Sequence, residues 1–403
     1  MTERRADTPA IEGGTPVRST MLPFYRAAID ERDIESVVDT LRSGWLTVGP
    51  RTERLERVVA EYLGVDHVLA VSSCSEAMFL ALLALGVGPG DEVITSSLTF
   101  ASTVHAIIHV GATPVLADIE PETLGLDPAA VAARVGPRTR ALLPVHFGGQ
   151  ACRIMDIIEI AARHNLAVVE DAAHSFGSTV EGRPLGAFGD ATAFSFYATK
   201  NITTGEGGAV STSDGELAAR LRLWSYHGMS RDSWNRYADR GSWYYQVEVP
   251  GYKCNMSDVL AALGLAQMEK IDRLLSRRRA IAARYHELLS GSEFFELPRE
   301  RKGNGHTWHL YAVQLRLDAL NIDRNRFIEA MTAENIGSSV HFIPIYRHPF
   351  FAPYGAEAGE FPACESYYSR CVSLPLFPDM SVSDADDVVE ALNRIASYYR
   401  SGS

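Results

Sequence analysis

The chain has 403 residues, of which 46% are hydrophobic and 22% are charged, close to the average composition of soluble globular proteins. This length allows about two or three domains, and the composition excludes a disulfide-stapled miniprotein and a largely disordered chain. The formal net charge of −12 argues against a nucleic-acid-binding protein, which needs clustered Lys and Arg to neutralise phosphates. We therefore expect small molecules as partners and no nucleic acid.

The cysteines are scattered, with no CxxC motif and no Cys/His cluster, and lie at positions 74, 152, 254, 364 and 371. This pattern predicts neither a disulfide framework nor a metal site, and it fits a reducing compartment. The first residues lack an apolar signal segment, and no stretch reaches the roughly 18 apolar residues of a membrane span. We expect a cytoplasmic protein with no membrane partner.

Three parts of the chain differ in their pattern. Residues 1–20 are polar and rich in Gly, Pro and Thr, which predicts a mobile tail. Residues 21–270 are expected to form a large domain, and residues 271–403 a smaller C-terminal α/β domain. Within the large domain, apolar residues at helical spacing predict a helix over residues 30–41. A loop, SGWLTVGP, follows this helix and carries Trp45.

Short β-rich runs alternate with helical runs between residues 65 and 211. The strand candidates are HVLAV, EVITS, TPVLA, ALLPV, LAVVE, ATAFSF and GAVST. This alternation is typical of βαβ crossovers and predicts an α/β fold with a mostly parallel, buried central sheet. Ligands of such sheets bind beyond the carboxyl ends of the strands. The residues that follow each strand are therefore the first candidates for a site.

The second half of the chain begins with a long helical stretch. It opens with Ser257 as a plausible cap and extends to about Leu289, so we expect it to connect the two domains. Beyond it, strands are predicted at HLYAVQLRL and SSVHFIP, and helices at DRNRFIEAMTAEN and SDADDVVEALNRIASYY. This mixture predicts the small α/β domain.

Lys200 lies just after the strand ATAFSF, in a loop of small and hydroxyl residues that leads into a glycine turn. Burial at a strand end would lower the pKa of its amine toward the nucleophilic, neutral form. A lysine at such a place is usually solvated, so its interpretation depends on its neighbours.

Asp171 directly follows the apolar strand LAVV. A carboxylate in this position can hold the pyridine nitrogen of pyridoxal phosphate protonated, which lets the ring accept electrons. The alternative is that Asp171 caps the following turn. His174, three residues further on, either bonds the phenolic oxygen of the cofactor or fills the turn.

A phosphate site is predicted between the strand HVLAV and the helix after it. The polar residues Cys74 and Ser75 lie at the start of that helix, where backbone N–H groups and the helix dipole favour an anion. Ser195, near Lys200, offers a further hydroxyl. Phe100, beyond EVITS, could provide a flat apolar partner for a cofactor ring. The alternatives are a simple helix cap and a core phenylalanine.

Many segments in order resemble one known family. They are LPFYRAAI, SGWLTVGP, SSLTFAST, VGATPVLADI, PVHFGGQ, VVEDAAHSFGS, FSFYATKNITTGEGG, PGYKCNMSDVLAALGLAQ, VHFIPIYRHPFF and SLPLFPDMS. The sequence resembles the sugar aminotransferases of the DegT/DnrJ/EryC/StrS family, within fold type I of the pyridoxal-phosphate enzymes, from about Leu22 to the C-terminus.

The resemblance implies roles for the candidate residues. Lys200 would form the Schiff base with pyridoxal phosphate and move the proton, Asp171 would pair with the pyridine nitrogen, and Phe100 would stack on the ring. Ser75 and Ser195 would hold the phosphate.

In the family a loop from a second subunit completes the phosphate site. The matching segment is GYKCNM, whose Lys253 and Asn255 would reach across a homodimer with shared active sites.

The resemblance also implies a substrate, a keto sugar nucleotide that receives an amino group from an amino acid, L-glutamate. GYKCNM is similar to the branch that acts on UDP-4-keto-pentoses, so amination at C4 of a keto pentose or 6-deoxyhexose is expected. Trp45, His341, Arg347 and His348 are the pocket candidates.

The sequence departs from the family pattern in two places. Cys74 replaces a usual Gly or Ala, and VHFIPIYRHPFF matches the branch only in part. The alternatives are a cyclitol or other keto substrate, and a non-catalytic regulator that binds the cofactor. A sugar dehydratase would carry histidine in place of Lys200.

Overall fold

The structure is a computed structural model that describes residues 8–229 and 244–402. Its strands are β1 (His67–Val71), β2 (Glu92–Ser96), β3 (Thr113–Ala117), β4 (Thr139–Leu143), β5 (Ala167–Asp171), β6 (Thr179–Val180), β7 (Arg183–Pro184), β8 (Ala191–Ser195), β9 (Gly208–Thr212), β10 (Phe295–Glu296), β11 (Asn304–Gly305), β12 (Tyr311–Leu315) and β13 (Cys371–Leu374). Its helices are α1 (Glu31–Ser43), α2 (Pro50–Leu63), α3 (Cys74–Ala84), α4 (Ala101–His109), α5 (Pro128–Ala132), α6 (Ile154–His164), α7 (Gly215–Ser225), α8 (Asp258–Met268), α9 (Ile271–Leu289), α10 (Arg324–Ala333), α11 (Pro362–Arg370) and α12 (Val382–Tyr398).

The central sheet consists of the strands that the sequence predicts, in the order β1-β9-β8-β5-β4-β2-β3. β9 runs antiparallel to β1 and β8, and the other neighbouring pairs are parallel. The predicted mostly parallel α/β sheet is therefore confirmed. The order also places the carboxyl ends of β4, β5 and β8 side by side, which brings Asp171 close to the loop after β8.

Both faces of this sheet are buried, as expected for parallel strands between helices. Side chains alternate between the two faces, so that Val168 packs with the α6 side of the core and Val169 with the α3 side. These rigid layers hold the strand ends that carry the site.

The C-terminal domain packs α9, α10 and α12 around an antiparallel sheet of order β10-β12-β13. The long helix predicted from Ser257 is divided, because α8 ends at Met268 and α9 begins at Ile271. The Ser257 cap is confirmed, since its hydroxyl accepts the Leu260 N–H. The first half of α9 packs with the large domain and its second half with the small one, so the division at residue 270 stays a prediction.

Residues 8–20 differ from the mobile tail that their composition predicts. The buried Glu334 carboxylate accepts the backbone N–H groups of Ala10 and Val17 at 2.8 and 2.7 Å, and Arg18 pairs with Asp384 at 2.8 Å. These bonds hold the segment against the C-terminal domain. Residues 1–7 of the predicted tail lie outside the described residues.

Two other elements differ from expectation. The strand predicted at SSVHFIP does not form. Within this segment, Ser339 alone forms a bridge to β13, where its partner is Ser373. In α1, the buried face is polar and contains Asp33, Ser36 and Thr40, which pack toward α8. Of the apolar residues that predicted this helix, Ile34 and Leu41 are exposed, and the two valines between them are half-buried. None of the helices in the described ranges is long and apolar enough to cross a membrane.

Candidate active site

Lys200 lies in the loop after β8, and neighbouring residues fix the backbone on both sides of it. Its N–H donates to the Tyr197 carbonyl at 2.9 Å, and the Asn201 amide donates to the Phe176 carbonyl at 2.9 Å. The hydroxyl of Tyr25 donates to the Ala198 carbonyl. Burial lowers the pKa of the Lys200 amine to about 8, although Cys74 and Asp171 act in the opposite direction. About a tenth of the amine is thus neutral and nucleophilic at pH 7, far more than for a solvated lysine.

Asp171 ends β5, next to β8, and is 4% exposed. One carboxylate oxygen accepts the Thr103 hydroxyl at 2.7 Å, and the other accepts the Ala173 N–H at 3.0 Å. Thr103 in turn lies 2.7 Å from the Thr99 hydroxyl. The side chain is therefore held from both sides. The alternative of a turn cap holds for one oxygen only.

His174 is buried beside Asp171 and Lys200. Burial, followed by the charge of Lys200, keeps the pKa of His174 well below its usual value, so the ring is neutral. Its Nδ1 accepts the Gly148 N–H at 3.3 Å, which assigns the proton to Nε2. His174 can therefore donate one hydrogen bond from Nε2 to an oxygen of a bound ring.

The turn before α3 has the geometry of an anion site. The Ser73 hydroxyl caps the helix by accepting the Glu76 N–H at 3.2 Å, while the N–H groups of Cys74 and Ser75 find no acceptor among the described residues. A Cβ on Gly208 would lie 2.6 Å from the Cys74 nitrogen, so glycine is needed where β9 passes this turn. The Cys74 side chain is buried in the core. The cysteine that replaces the usual Gly or Ala therefore leaves the N–H groups of Cys74 and Ser75 free.

Ser195 and Phe100 complete the predicted cofactor half. Ser195 ends β8 opposite Gly208 of β9, and its hydroxyl accepts the Tyr197 N–H at 3.3 Å. Phe100 immediately precedes α4 and is 61% exposed, so it is not a core residue. Its ring is 5.8 Å from that of Phe342.

These groups fit a phosphate-bearing pyridine cofactor. Unpaired N–H groups at a helix N-terminus suit the phosphate, a buried carboxylate suits a protonated ring nitrogen, and an exposed phenyl ring suits stacking. Lys200, Asp171, His174 and the turn before α3 come from separate parts of the chain and meet at the same edge of the sheet.

The GYKCNM segment lies at the same edge. The Cys254 carbonyl accepts the Ser72 N–H at 2.8 Å, and Asn255 forms an isolated bridge with Val71. The amine of Lys253 donates to the Asn255 side chain and lies 4.2 Å from the Tyr226 ring. The backbone of this segment thus packs on its own chain beside the phosphate turn.

The predicted substrate residues are not brought together equally. His341 lies close enough to Lys200 to be affected by its charge. Burial, and after it the charge of Lys200, lower the pKa of His341 to about 4. Its Nδ1 is 2.9 Å from the Ser373 hydroxyl. Trp45 is exposed and donates from its indole to the Val48 carbonyl at 3.1 Å.

Arg347 and His348 have other partners. Arg347 forms a two-pronged pair with Glu365, at 2.8 and 2.5 Å, and lies over the Tyr368 ring. His348 contacts Phe351. Neither contacts Lys200, Asp171 or His174 in the part of the chain that the structure describes.

Three residues that lie beside Asp171 and His174 were not predicted from the sequence. Thr103 holds Asp171, Phe342 packs 5.6 Å from the His174 ring, and the His309 ring lies 4.5 Å from that of His174. Thr103 is the last residue of the segment SSLTFAST. It follows Phe100 by one helical turn, and this spacing could have indicated that the two residues face the same site. Within the described chain His309 Nδ1 has no hydrogen-bond partner, and no pattern in the sequence indicated its place.

Comparisons with known proteins agree with this geometry. The model of the DegT/DnrJ/EryC1/StrS aminotransferase family matches residues 27–393. The spore coat polysaccharide biosynthesis protein SpsC of Bacillus subtilis is 49% identical over 94% of this chain and 98% of its own length.

Two solved structures are similar as well. Spr1654 of Streptococcus pneumoniae, named as a sugar aminotransferase and solved in PMP and PLP forms, is 31% identical. Its PMP form has a TM-score of 0.89 over 94% of this chain and 99% of that one. DesI, solved in the presence of its TDP-sugar product, is 32% identical, with a TM-score of 0.86 over 97% of each chain.

Proposed function

Because the chain belongs to the DegT/DnrJ/EryC1/StrS aminotransferase family, we propose that it transfers an amino group from L-glutamate to the ketone of a nucleotide-linked sugar. The observation that carries this proposal is the buried Lys200 amine, with a pKa lowered to about 8, at the same sheet edge as Asp171. A lysine in contact with solvent would not have a lowered pKa. A protein that binds the cofactor without catalysis would not need an amine that is partly neutral near pH 7.

The cofactor is pyridoxal phosphate, and the fold is fold type I. When bound, this cofactor carries the amino group between the two substrates and takes up the electrons released when a C–H bond beside the nitrogen breaks.

The side chains of the chain divide the remaining work. The Lys200 amine would hold the cofactor at its carbonyl carbon until the amino group of the donor displaces it. The freed amine would move a proton from the α-carbon of the donor to that cofactor carbon in the first half-reaction, and from that cofactor carbon to the reacting carbon of the sugar in the second. Asp171 would keep a proton on the ring nitrogen, and His174 would donate from Nε2 to the ring oxygen. The N–H groups of Cys74 and Ser75 would bind the phosphate together with the Ser195 hydroxyl.

The sugar and its nucleotide are proposed from similarity and from exposure. DesI was solved with a TDP-sugar product, and Trp45, one of the substrate candidates of this chain, is exposed. We place the reacting ketone at C4 of a keto pentose or a 6-deoxyhexose. His341, beside Lys200, is the substrate residue that the geometry supports best.

A homodimer is proposed from two surfaces. Ile34 and Leu41 lie on one face of α1 and are 48% and 53% exposed, and Leu46 extends this apolar strip. Exposed apolar strips of this kind commonly mark protein contacts. Lys253 and Asn255 of one chain would then reach the phosphate of the other. The five cysteines are free and buried, which suits the reducing cytoplasm in which we expect the enzyme to act.

The test starts from the purified holoenzyme. L-glutamate should bleach the visible absorbance of the bound cofactor, and 2-oxoglutarate should restore it. A panel of amino-sugar nucleotides, given with 2-oxoglutarate, should identify the sugar in the reverse reaction, with aminocyclitols as the competing class. Bleaching by L-glutamate without turnover of any sugar nucleotide would reject the sugar assignment, and no bleaching by any amino acid would reject the aminotransferase.

A further inference from the structure

His146 and Glu170 form a buried pair beside the site. His146 follows β4, Glu170 precedes Asp171 in β5, and neither side chain has any exposed surface. His146 Nε2 and Glu170 Oε2 are 2.9 Å apart. Placing a carboxylate in the core is costly unless hydrogen bonds compensate for the lost water. None of the steps described above uses this pair.

Every donor and acceptor in the pair has a partner. Oε1 of Glu170 accepts the Gly189 N–H and the Thr192 hydroxyl, both at 2.8 Å. Nδ1 of His146 accepts the Cys152 N–H at 3.2 Å. Burial lowers the pKa of His146, whereas Cys152 and Glu170 raise it. The Cys152 N–H can only donate, so the Nδ1 that accepts it keeps its lone pair. The proton of the ring therefore lies on Nε2, facing the carboxylate.

His146 also bonds through its backbone to the segment that faces the cofactor, Glu170–Ser175. Its N–H donates to the Asp171 carbonyl at 3.0 Å, and its carbonyl accepts the Ser175 hydroxyl at 2.9 Å. The side-chain bond to Glu170 is the third link. Gly148, two residues after His146, donates to the His174 ring. His146 thus bonds to the backbone at Asp171 and to the Ser175 side chain, and it lies two residues from the Gly148 N–H that bonds to the His174 ring.

We propose that His146 and Glu170 are positioning residues. They hold the side chains of Asp171 and His174 where these can reach the ring of the bound cofactor. They touch neither cofactor nor substrate. The pair joins the residues after β4, the end of β5 and the start of β8 within the buried core, so that the orientation of both cofactor-facing side chains is set before the cofactor binds.

The variant Glu170→Gln tests this proposal, because glutamine has nearly the same shape as glutamate but carries an amide in place of the carboxylate. The new amide oxygen can still accept from Gly189 and Thr192, but its NH2 faces the N–H of His146. Moving the ring proton to Nδ1 only transfers the conflict to the Cys152 N–H. Two buried donors then face each other in either tautomer, and we expect about tenfold weaker binding of pyridoxal phosphate.

Two readouts separate positioning from mere stability. The pH titration of the visible band of the bound cofactor should shift in Glu170→Gln, because Asp171 no longer pairs well with the ring nitrogen. In the cofactor-free protein, amide exchange of residues 170–175 should become about tenfold faster. The matched control is Glu159→Gln on α6, an exposed carboxylate, which should change neither readout.

A rescue sharpens the test. In the double variant His146→Gln with Glu170→Gln, the amide of residue 146 can turn its oxygen toward the NH2 of residue 170, and part of the affinity should return. Should Glu170→Gln fail to fold, Thr192→Val removes one donor to Glu170 and should weaken cofactor binding about threefold.

An unchanged cofactor affinity and titration in a folded Glu170→Gln protein, even with a lower melting temperature, overturns the proposal. None of these measurements uses a sugar, so a wrong sugar assignment leaves the result intact.

Discussion

The cofactor half of the site and its substrate half are held in different ways. Asp171 and His174 sit at strand ends or in tight turns, are nearly fully buried, and have partners from other parts of the large domain. Trp45 lies on an exposed loop and bonds within it, whereas Arg347 lies near the surface and pairs with Glu365 of α11.

This difference has a physical origin. The order of a parallel sheet dictates which strand ends meet, so sequence patterns that predict strands also predict the cofactor half. The substrate half depends on loops whose contacts are decided by side-chain pairing. The following experiments test how far this division holds.

Lys200→Ala should have the largest effect. We expect kcat to fall at least about a thousandfold, since one residue supplies both the nucleophile and the proton carrier. Cofactor affinity should fall less, because the phosphate turn and Asp171 remain. Borohydride treatment, followed by peptide mass analysis, should fix the cofactor on Lys200 in the wild-type protein and nowhere in the variant. Label on any other lysine would show that the assignment is wrong.

Mixing two inactive chains tests whether the phosphate half is shared between subunits. One chain carries Lys200→Ala, and the other carries Lys253→Ala with Asn255→Ala. In a dimer with shared sites, each heterodimer has one intact site, and random assortment should restore about a quarter of the wild-type activity. Co-expression with two affinity tags ensures that heterodimers form.

The opposite outcome is equally informative. The Cys254 carbonyl already bonds to Ser72 of the same chain, so Lys253 and Asn255 could serve their own phosphate turn. Heterodimers would then be as inactive as either parent, and the shared site would be rejected.

Asp171→Asn should lower kcat about a hundredfold, because a neutral amide cannot hold the ring nitrogen protonated. The bound cofactor should keep its visible absorbance, so binding and turnover separate. Thr103→Val is the matched smaller change, because it removes the hydroxyl that donates to Asp171. It should lower kcat about fivefold. Near-normal turnover of Asp171→Asn would reduce Asp171 to the turn cap that the sequence also allowed.

The lowered pKa of Lys200 makes a prediction about stability without the cofactor. Its folded pKa of about 8 lies below the unfolded value of about 10.4, so the unfolded chain binds more protons between these values. Stability therefore rises with pH across this window, and the cost of the buried amine is complete below pH 8.

Lys200→Met should raise the free energy of unfolding at pH 7 by about 1–3 kcal/mol, as measured by urea titration of the apo protein. The gain should shrink as pH increases from about 8 to about 10. Lys302→Met, at an exposed lysine, is the control and should show no such trend. A gain that is independent of pH would mean that packing, not charge, is responsible.

The same division explains what the sequence could predict. Alternating β-rich and helical runs were sufficient for the central sheet, and the positions of Lys200 and Asp171 after strands were sufficient to predict that the two lie at one edge of it. The strand expected at SSVHFIP did not form, although its β-branched and aromatic residues favoured one, and its pairing with β13 is limited to the bridge in which Ser339 and Ser373 exchange backbone hydrogen bonds. The ordered tail depends on Glu334, more than 300 residues away, and local composition cannot report such a partner.

The smallest expected effect concerns Arg347, where sequence similarity and structure diverge. Its guanidinium is occupied by Glu365 and partly exposed, and an exposed ion pair contributes at most about 1 kcal/mol. Arg347→Ala should therefore change KM for the sugar nucleotide by less than about threefold. His341→Ala, beside Lys200, should raise KM or lower kcat by about tenfold through the loss of a buried hydrogen-bonding group.

Glu365→Gln decides between the two possible states of Arg347. This change weakens the pair and releases the guanidinium, and it should leave KM unaltered if Arg347 only joins the loop to α11. If Arg347 leaves Glu365 to bind the nucleotide, Arg347→Ala raises KM at least tenfold and Glu365→Gln lowers it, since the cost of breaking the pair is removed. That result would show that the substrate half rearranges when it binds its ligand, whereas the cofactor half is already formed.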